Sequence, residues 1–376
     1  MAGITGLHFG NLKGDLFGGV TAAVVALPLA LAFGVSSGAG AIAGVYGAIL
    51  TGFFAALFGG TPSQVSGPTG PMTVVMAGVF TQFVAIDPET GPALAFTVVM
   101  LSGLFQIGFG VIRLGQYIAM VPFPVISGFM SGIGVIIISL QLAPLLGHAA
   151  QSSVVNSLVS LPENLASLNS TALMLGVLTL VIVMRCPARL ARWIPSHLLA
   201  LLIVTPLSLV LFSSADLAVI GAIPTGLPEL RLPTMSAELA SQMVLSALML
   251  AALGSIDSLL TSLVADNMTR SHHDSDRELI GQGIGNTVAG LFGGLPGAGA
   301  TMRTVVNIRA GGSTPISGAT HAVVLLVMVL GASPLAEEIP HAVLAGILIK
   351  VGIDIIDWDF LRRLPRAPWS VTGLML

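Results

Sequence analysis

Residues 55–75, AALFGGTPSQVSGPTGPMTVV, decide the fold, because their main features recur once more along the chain. Residues 289–306 read AGLFGGLPGAGATMRTVV. Their first eight residues match AALFGGTP at six positions, and both stretches end in Thr-Val-Val. In each copy, glycines and prolines interrupt regular helix just before a short apolar run. Each copy therefore predicts a half-helix that is entered by extended chain.

A third pair of segments supports an internal duplication. VPFPVISGFMSGIG (121–134) aligns with IPHAVLAGILIKVG (339–352) at one proline, one valine and two glycines. The matches keep the same order along the chain, and seven predicted crossings separate equivalent elements. Because seven is odd, the second copy is inverted relative to the first. Inverted repeats with paired broken helices are typical of secondary transporters, whose substrate site lies between the breaks.

The composition places these repeats in a membrane. The 376 residues are 54% hydrophobic and 8% charged, with a mean hydropathy of +0.96. Soluble domains carry about 25% charged residues, so a soluble globule, a nucleic-acid-binding protein and a disordered chain are excluded. The single cysteine, Cys186, excludes an internal disulfide. The sequence therefore predicts an all-α polytopic membrane protein.

Twelve apolar segments are predicted to enter the membrane: 16–36, 41–60, 70–86, 93–112, 122–147, 165–184, 195–214, 240–264, 279–295, 300–308, 315–333 and 340–356. The short segments 70–86 and 300–308 are the half-helices, whose extended approaches must be buried in protein or line a cavity. With a cytoplasmic N-terminus, basic residues outside the spans follow the positive-inside rule. Arg231 falls in an outer loop, and the cytoplasmic side takes Lys13, Arg113, Arg185, Arg189, Arg192, Arg270, Arg277, Arg309, Arg362, Arg363 and Arg366.

The expected organisation follows from these spans. Residues 1–14 form the cytoplasmic N-terminus, 15–215 the first inverted repeat of about seven segments, 216–239 an outer loop, and 240–376 an incomplete second repeat. After Arg366 the chain reads APWSVTGLML, the start of an unfinished apolar helix. We therefore expect the chain to be truncated before the last two spans.

Asp257 is the most isolated charge within a predicted span. It lies in ALMLAALGSIDSLLTSLVAD (247–266), with at least eight uncharged residues on each side. A buried carboxylate in a membrane is costly and is by default a functional candidate. Thr261, four residues on, shares its helical face, so the pair offers hard oxygens to a small cation or to a proton. The structural alternative is a protonated Asp257 that bonds to a neighbouring helix.

The two breaks predict an anion site. Thr69 and Gly70 lie near the start of the first half-helix, and the glycines of GAGATMRTVV (297–306) allow close backbone approach in the second. Two half-helix N-termini at one point present free N–H groups and positive dipole ends. Arg303 adds positive charge there; its structural alternative is a partner for Asp257 or for backbone carbonyls. An anion beside a carboxylate that takes Na+ or H+ is a physical route to symport.

Other polar features are weaker candidates. His272, His273 and Asp274 resemble metal ligands, but their charged loop favours a solvated turn, with a helix beginning at DRELIGQG (276–283). We expect His321 and His341 to be packing residues. The spans contain no nucleophile–base pair, metal-ligand cluster or phosphate loop, so the sequence predicts no enzyme.

Six motifs resemble the sulfate permease (SulP) family of anion transporters, and its bicarbonate-transporting branch above all. The resemblance covers almost the whole chain, and these motifs carry it: GDLFGGVTAAVVALPLALAFG (14–34), FFAALFGGTP (53–62), SGPTGPMTVV (66–75), SGFMSGIGVII (127–137), DSDRELIGQGIGN (274–286) and ATMRTVVNIRAGG (300–312). The resemblance implies a UraA-like fold of 7+7 inverted repeats with two broken half-helices. It also implies core and gate domains, elevator-like transport, a homodimer in the lipid of the plasma (inner) membrane, and a cytosolic STAS domain after the last span.

The resemblance also implies a set of binding residues. The coupling ion, Na+ or alternatively H+, would be held by Asp257, Thr261, Gly299, Ala300 and Thr301. The substrate anion would lie against Thr69, Gly70, Ala300, Thr301 and Arg303. No organic cofactor and no nucleic-acid partner are expected.

Three functions remain open at this point. The first is a Na+-coupled bicarbonate symporter, which the aspartate at 257 favours. The second is a proton-coupled or exchanging carrier of sulfate or a dicarboxylate, in which Arg303 pairs with a dianion. The third is an anion channel, which the deep half-helix sites and the coupling carboxylate disfavour.

Overall fold

The structure, a computed structural model, describes residues 6–118, 123–151, 154–187, 190, 194–212, 217–221, 228–236 and 238–363. The helices, in chain order, are α1 (Leu12–Ser36), α2 (Ala41–Phe58), α3 (Gly70–Ile86), α4 (Gly91–Val111), α5 (Gly115–Ile118), α6 (Phe123–Leu145), α7 (Val154–Val159), α8 (Leu161–Ala166), α9 (Ser170–Arg185), α10 (Ser196–Leu211), α11 (Ala240–Thr269), α12 (Ser275–Leu291), α13 (Thr301–Arg309), α14 (Pro315–Glu337), α15 (His341–Ile355) and α16 (Trp358–Arg363). Two short strands are β1 (Ser66–Gly67) and β2 (Ala298–Gly299). Arg189, Arg192, Arg366 and the final segment 367–376 lie outside the described residues.

The helical character predicted for all twelve apolar segments is confirmed. Five helices, α1, α2, α4, α6 and α11, contain stretches long and apolar enough to cross a membrane. Some predicted ends were wrong. The segment predicted from 165 begins at Ser170, because the Asn169 side chain accepts hydrogen bonds from the Thr171 and Ala172 N–H groups and caps the helix. Helix α11 continues past the predicted end at 264 to Thr269.

The chain forms two compact units, and each unit contains elements from both predicted repeats. Unit 1 comprises Met1–Ala119 and Ala222–Ala336, and unit 2 comprises Met120–Gly221 and Glu337–Leu376. Unit 1 therefore contains both β-strands, both half-helices and the helix that carries Asp257. The candidate site lies entirely within this unit.

Close helix packing in unit 1 depends on small residues. Helix α12 packs extensively against α4 and α2. Gly281 of α12 lies directly on Gly59, at the end of α2, so that a Cβ atom on Gly281 would collide with the Gly59 backbone. At the other end of the contact, a Cβ atom on Gly294 would lie 2.8 Å from the Gly47 nitrogen. The glycines that recur in the two LFGG motifs therefore let the two copies cross at backbone distance.

The two broken segments meet as a two-stranded ribbon. Strand β1 pairs antiparallel with β2, with Ser66 opposite Gly299 and Gly67 opposite Ala298. Helix α3 begins three residues after β1, and α13 begins two residues after β2. Antiparallel pairing of equivalent segments is the arrangement that a two-fold relation between inverted copies produces. Both half-helices therefore start from one small element in the interior of unit 1.

Unit 2 contains a second contact between predicted equivalents. A Cβ atom on Gly134 would lie 2.6 Å from the Gly352 carbonyl oxygen, and one on Gly352 would lie 2.8 Å from the Gly134 carbonyl oxygen. These glycines align in the sequence repeat, and they bring α6 and α15 together. The contact is reciprocal, as expected for copies related by a two-fold axis.

Candidate ion-binding site

Among the described residues of unit 1, three carboxylates are buried, and two of them accept hydrogen bonds at both oxygen atoms. Asp15 accepts hydrogen bonds from the Ser313 N–H (2.7 Å), the Thr314 N–H (2.9 Å) and the Thr314 hydroxyl (2.7 Å). Glu278 accepts four hydrogen bonds. Asp257 differs, because its Oδ2 atom has no hydrogen-bond partner among the described residues although its side chain is buried. A buried unsatisfied carboxylate oxygen is costly, and such atoms mark sites that bind something else.

The Thr69 side chain faces this carboxylate. Neither Thr69 Oγ1 nor Asp257 Oδ2 reaches a partner at hydrogen-bonding geometry in the described part of the chain. Thr69 comes from the first broken segment, and Asp257 comes from the middle of α11. The structure therefore brings together two unsatisfied oxygen groups that are 188 positions apart in the sequence.

Three further oxygen atoms cluster one helical turn from Asp257. The Thr261 hydroxyl lies 2.9 Å from the Gly299 carbonyl oxygen, to which it donates, and 2.8 Å from the Thr301 hydroxyl. The loop itself is tied to α11, because the Gly299 N–H donates to Ser258 Oγ at 3.0 Å. Hydroxyl, carbonyl and carboxylate oxygens are the donor set that hard cations take. These residues fit a small cation.

The two half-helices begin beside the same oxygen atoms. Thr69 is the N-cap of α3 and Ala300 the N-cap of α13, and neither side chain caps its helix. The first N–H groups of each helix therefore have no partner within the helix. Ala300 offers no free N–H of its own, since that group donates to the Val65 carbonyl at 3.0 Å. Thr301, the first residue of α13, is exposed.

Arg303 is buried behind this start, with 2% of its surface exposed. Its Nη2 donates to the Pro68 carbonyl of the first broken segment. Among the described residues, its Nη1 has no hydrogen-bond partner and forms no ion pair with Asp257. A Cβ atom on Gly67 would lie 2.5 Å from Nη1, so the strand glycine makes room for the guanidinium. Arg303 therefore links the two breaks and adds positive charge at both half-helix starts.

The sequence did not indicate the residues behind the site. Gln64 lies against Gly299, and Ser262 bonds to the Gln64 side-chain oxygen at 3.1 Å. His321, predicted to be a packing residue, is fully buried, and neither ring nitrogen has a partner in the described chain. Gln64 lies in the segment before β1, and Ser262 and His321 are single polar residues in apolar helices. Neither setting gives a periodic pattern, so only the three-dimensional arrangement relates these residues to the site.

The connection between α11 and α12 forms a structured turn. His273 Nδ1 lies 2.7 Å from Asp266 Oδ2, and His273 Nε2 lies 2.9 Å from Ser275 Oγ. Asp274 caps α12, as the predicted helix start required, by accepting from the Arg277 N–H at 3.1 Å. Within the described residues, no group of three or more His, Cys, Asp or Glu side chains is placed to hold a metal ion.

Comparisons with known proteins match nearly the whole chain. The model of the sulfate permease family matches residues 12–371. The bicarbonate transporter BicA of Synechocystis sp. is 56% identical over 98% of this chain and 65% of its own length. The putative sulfate transporter YvdB of Bacillus subtilis is 35% identical over 85% of this chain and 59% of its own length. The chain thus spans about two thirds of the length of the first and less of the second.

A solved structure matches the architecture. The transmembrane domain of a cyanobacterium bicarbonate transporter BicA superimposes with a TM-score of 0.93 and 54% identity, covering 98% of this chain and 94% of that one. The predicted UraA-like fold with inverted repeats and broken helices is thereby confirmed. The matched relatives are named as transporters, in agreement with the prediction of a transporter rather than an enzyme.

Proposed function

Because the chain belongs to the sulfate permease family, we propose that it carries bicarbonate across the plasma membrane together with Na+. The similarity to transporters named for bicarbonate extends over 98% of the chain. It covers only part of those relatives' length, so the activity of the whole protein is part of this proposal.

The unsatisfied Asp257 carboxylate is the observation that carries the proposal. Among the described buried carboxylates of unit 1, it is the one with an oxygen atom that lacks a hydrogen-bond partner, and it lies one turn from the oxygens of Thr261, Gly299 and Thr301. A Na+ ion at this point takes the place of missing donors and neutralises the charge. When the cation binds, the oxygen atoms of Thr261, Gly299 and Thr301, which take part in hydrogen bonds with each other in this structure, turn toward it.

The anion has a complementary position in this proposal. Thr69 Oγ1, the N–H of Gly70 and the first N–H groups of α13 are donors, and both helix dipoles favour negative charge at these ends. Without a bound cation, Asp257 repels an incoming anion. Binding of Na+ removes this repulsion, so the two ions bind cooperatively and travel together.

Alternating access of the elevator type completes the proposal. Unit 1 contains every candidate ligand, so it is the unit that carries the ions. The homodimer implied by the family resemblance, and the cytoplasmic N-terminus implied by the positive-inside rule, belong to the same proposal.

A second candidate function follows from Arg303. Its Nη1 is buried without a partner in the described chain, and its charge is not matched by an ion pair. A dianion such as sulfate offers the acceptor and the second negative charge that this group lacks. The resulting alternative is a proton-coupled or exchanging carrier of sulfate or a dicarboxylate.

Uptake by the full-length protein in proteoliposomes tests the two candidates. Labelled bicarbonate and labelled sulfate are supplied with and without an inward Na+ gradient, at alkaline pH so that little CO2 leaks through the bilayer. Bicarbonate uptake that requires Na+ is the expected result. Sulfate uptake driven by a pH gradient and indifferent to Na+ contradicts the first function and supports the second.

The variant Arg303→Met tests the role of this side chain in selectivity. Methionine retains much of the buried volume and removes the charge and the hydrogen bond to Pro68. We expect the ratio of bicarbonate to sulfate uptake to rise. An unchanged ratio in a folded variant assigns Arg303 to structure alone.

A further inference from the structure

Glu278 is a buried carboxylate that takes no direct part in the proposed transport. It lies in the first turn of α12, with 1% of its surface exposed, and no ion pair reaches it among the described side chains. Its Oε2 accepts from the Gly60 and Thr61 N–H groups, both at 2.9 Å. Its Oε1 accepts from two glutamine amides, Gln64 at 2.7 Å and Gln282 at 2.8 Å. Four donors match an ionised carboxylate, which only accepts hydrogen bonds.

The two glutamines reach the same residue pair of the ribbon. Gln282 Nε2 also donates to Ser66 Oγ at 2.5 Å, and Gln64 packs against Gly299 so closely that a Cβ atom there would collide with its amide. Ser66 and Gly299 are paired across the antiparallel ribbon. Glu278 Oε1 therefore connects to both strands of the ribbon. It reaches Ser66 of β1 through Gln282 and Gly299 of β2 through Gln64.

Gln64 also connects this network to α11. Its Oε1 accepts from Ser262 Oγ at 3.1 Å, and Ser262 Oγ lies 2.7 Å from Thr61 Oγ1. Ser262 follows Thr261, the residue whose hydroxyl donates to the Gly299 carbonyl. The Gln64 amide thus packs against the Gly299 backbone, and the Thr261 hydroxyl donates to the Gly299 carbonyl.

We propose that Glu278 is a positioning residue for the cation site, and that it sets the distance between the Gly299 carbonyl and the Thr261 hydroxyl through Gln64 and Gln282. The inference rests on the proposed Na+ site, because it assigns a function to the residues behind that site. Residues behind a metal ligand typically change metal affinity by about 10- to 100-fold when they are altered. Within the described residues, Glu278 makes no hydrogen bond to the proposed anion ligands, so we expect its effect to be on cation affinity.

Direct binding of radiolabelled Na+ to the purified full-length protein tests this assignment. Glu278→Gln places an amide where four donors require acceptors, and we expect the Na+ affinity to fall by about 10-fold or more. Half-saturation of uptake by Na+ should shift equally, whereas the apparent affinity for the anion at saturating Na+ should remain. Asp15→Asn is the matched control, since it removes a buried hydrogen-bonded carboxylate from the same unit whose donors come from Ser313 and Thr314.

Each outcome separates this inference from the proposed function. If the wild-type protein binds no Na+, the proposed coupling is wrong. If it binds Na+ and Glu278→Gln binds it equally well, the positioning role alone is overturned. An equal loss of affinity in Asp15→Asn indicates general loosening and overturns it as well. If Glu278→Gln does not fold, Gln64→Met decides in its place, with the same expected loss and with unchanged affinity contradicting the role.

Discussion

At the scale of single residues, the buried carboxylates described in unit 1 differ in their hydrogen-bond donors. Asp15 and Glu278 receive backbone N–H groups, which hold them in one position. Among the described residues, no hydrogen-bond partner reaches Asp257 Oδ2. A carboxylate held by fixed N–H donors stabilises the protein, whereas one without them is free to exchange a cation. Substitution of these carboxylates is therefore expected to have different effects on transport and on stability.

Asp257→Asn is expected to abolish Na+-coupled uptake and to leave the fold intact. The amide has nearly the same shape, and Oδ2 has no hydrogen bond to lose within the described chain. The substitution removes the charge that the proposed cation would neutralise. Uptake in proteoliposomes and thermal unfolding in detergent are the two measurements. Undiminished Na+-dependent uptake contradicts the cation-site role, and Asp15→Asn, which breaks satisfied hydrogen bonds, should lower the unfolding temperature instead.

Thr69→Val should weaken the binding of the anion. Valine retains the shape of the side chain but removes a hydroxyl group that faces the site without a partner in the described residues. A hydrogen bond to a charged group contributes about 1.5–3 kcal/mol, so the apparent affinity should fall roughly 10- to 100-fold. Concentration-dependent uptake at saturating Na+ measures it.

The control for Thr69 lies one turn further along the same half-helix. The Thr73 hydroxyl donates to the Thr69 carbonyl at 2.8 Å, so it is engaged within the helix. Thr73→Val should leave the anion affinity within about two-fold. If both variants have the same affinity as the wild-type protein, Thr69 is not a ligand.

Asp257 was identifiable from the sequence, and Glu278 was not. A lone carboxylate in the middle of an apolar span can be recognised from the sequence, because a charge there is unusual whatever residue it pairs with. Glu278 lies near a helix start in a charged stretch, where an acidic residue is ordinary. Its function depends on two glutamines from α12 and from the segment before β1, which only the fold brings together.

At the scale of elements, the ribbon controls where the half-helices start. Strands of two residues cannot be predicted from periodicity, and their pairing joins positions 231 residues apart. The half-helices themselves were predictable, because proline and glycine mark the breaks directly. Neither N-cap side chain, Thr69 or Ala300, accepts a hydrogen bond from the first N–H groups of its half-helix, as expected if those groups bind an anion.

Gly67→Ala is expected to damage the ribbon and the site together. Gly67 has φ +150°, and an added Cβ atom would lie 2.5 Å from Arg303 Nη1 and 3.1 Å from the Ala48 Cα atom. Strain and overpacking of this kind cost about 1–3 kcal/mol each. A lower unfolding temperature and a weaker apparent anion affinity should appear together, as measured on the same preparation.

Gly78→Ala provides the matched substitution for Gly67. Gly78 lies within α3, and an added Cβ atom there meets nothing within 4 Å. Alanine is favoured over glycine inside a helix by about 1 kcal/mol, so this variant should be neutral or more stable. A Gly67→Ala protein as stable and active as Gly78→Ala would contradict the tight packing around Arg303.

At the scale of the whole molecule, the two repeats of the sequence and the two units of the structure divide the chain differently. Duplication is visible in one dimension because the motifs recur in order. The two units cannot be recognised from the sequence, because each is assembled from two separate parts of the chain. Equivalent elements of the two copies contact each other inside one unit, as Gly134 and Gly352 do within unit 2.

The orientation in the membrane remains a prediction that cysteine labelling tests. Cys186 is first replaced by serine, and single cysteines are then introduced as Leu232→Cys or His272→Cys, both at exposed positions. The positive-inside rule places 232 outside and 272 in the cytoplasm. A membrane-impermeant thiol reagent should label 232 in intact cells and 272 only after permeabilisation. The reverse pattern would invert the topology.

The antiparallel ribbon has a consequence for how the protein is made. Gly67 leaves the ribosome 231 residues before its partner Ala298, an interval of roughly 10–50 s at ordinary rates of translation. During this time the nascent first break has an unpaired strand edge and an uncapped helix start, which hydrocarbon does not tolerate. The insertion machinery or water must therefore shelter residues 65–70 until the second copy arrives. The proposed ion site would therefore be completed late in biogenesis, when the second break pairs with the first.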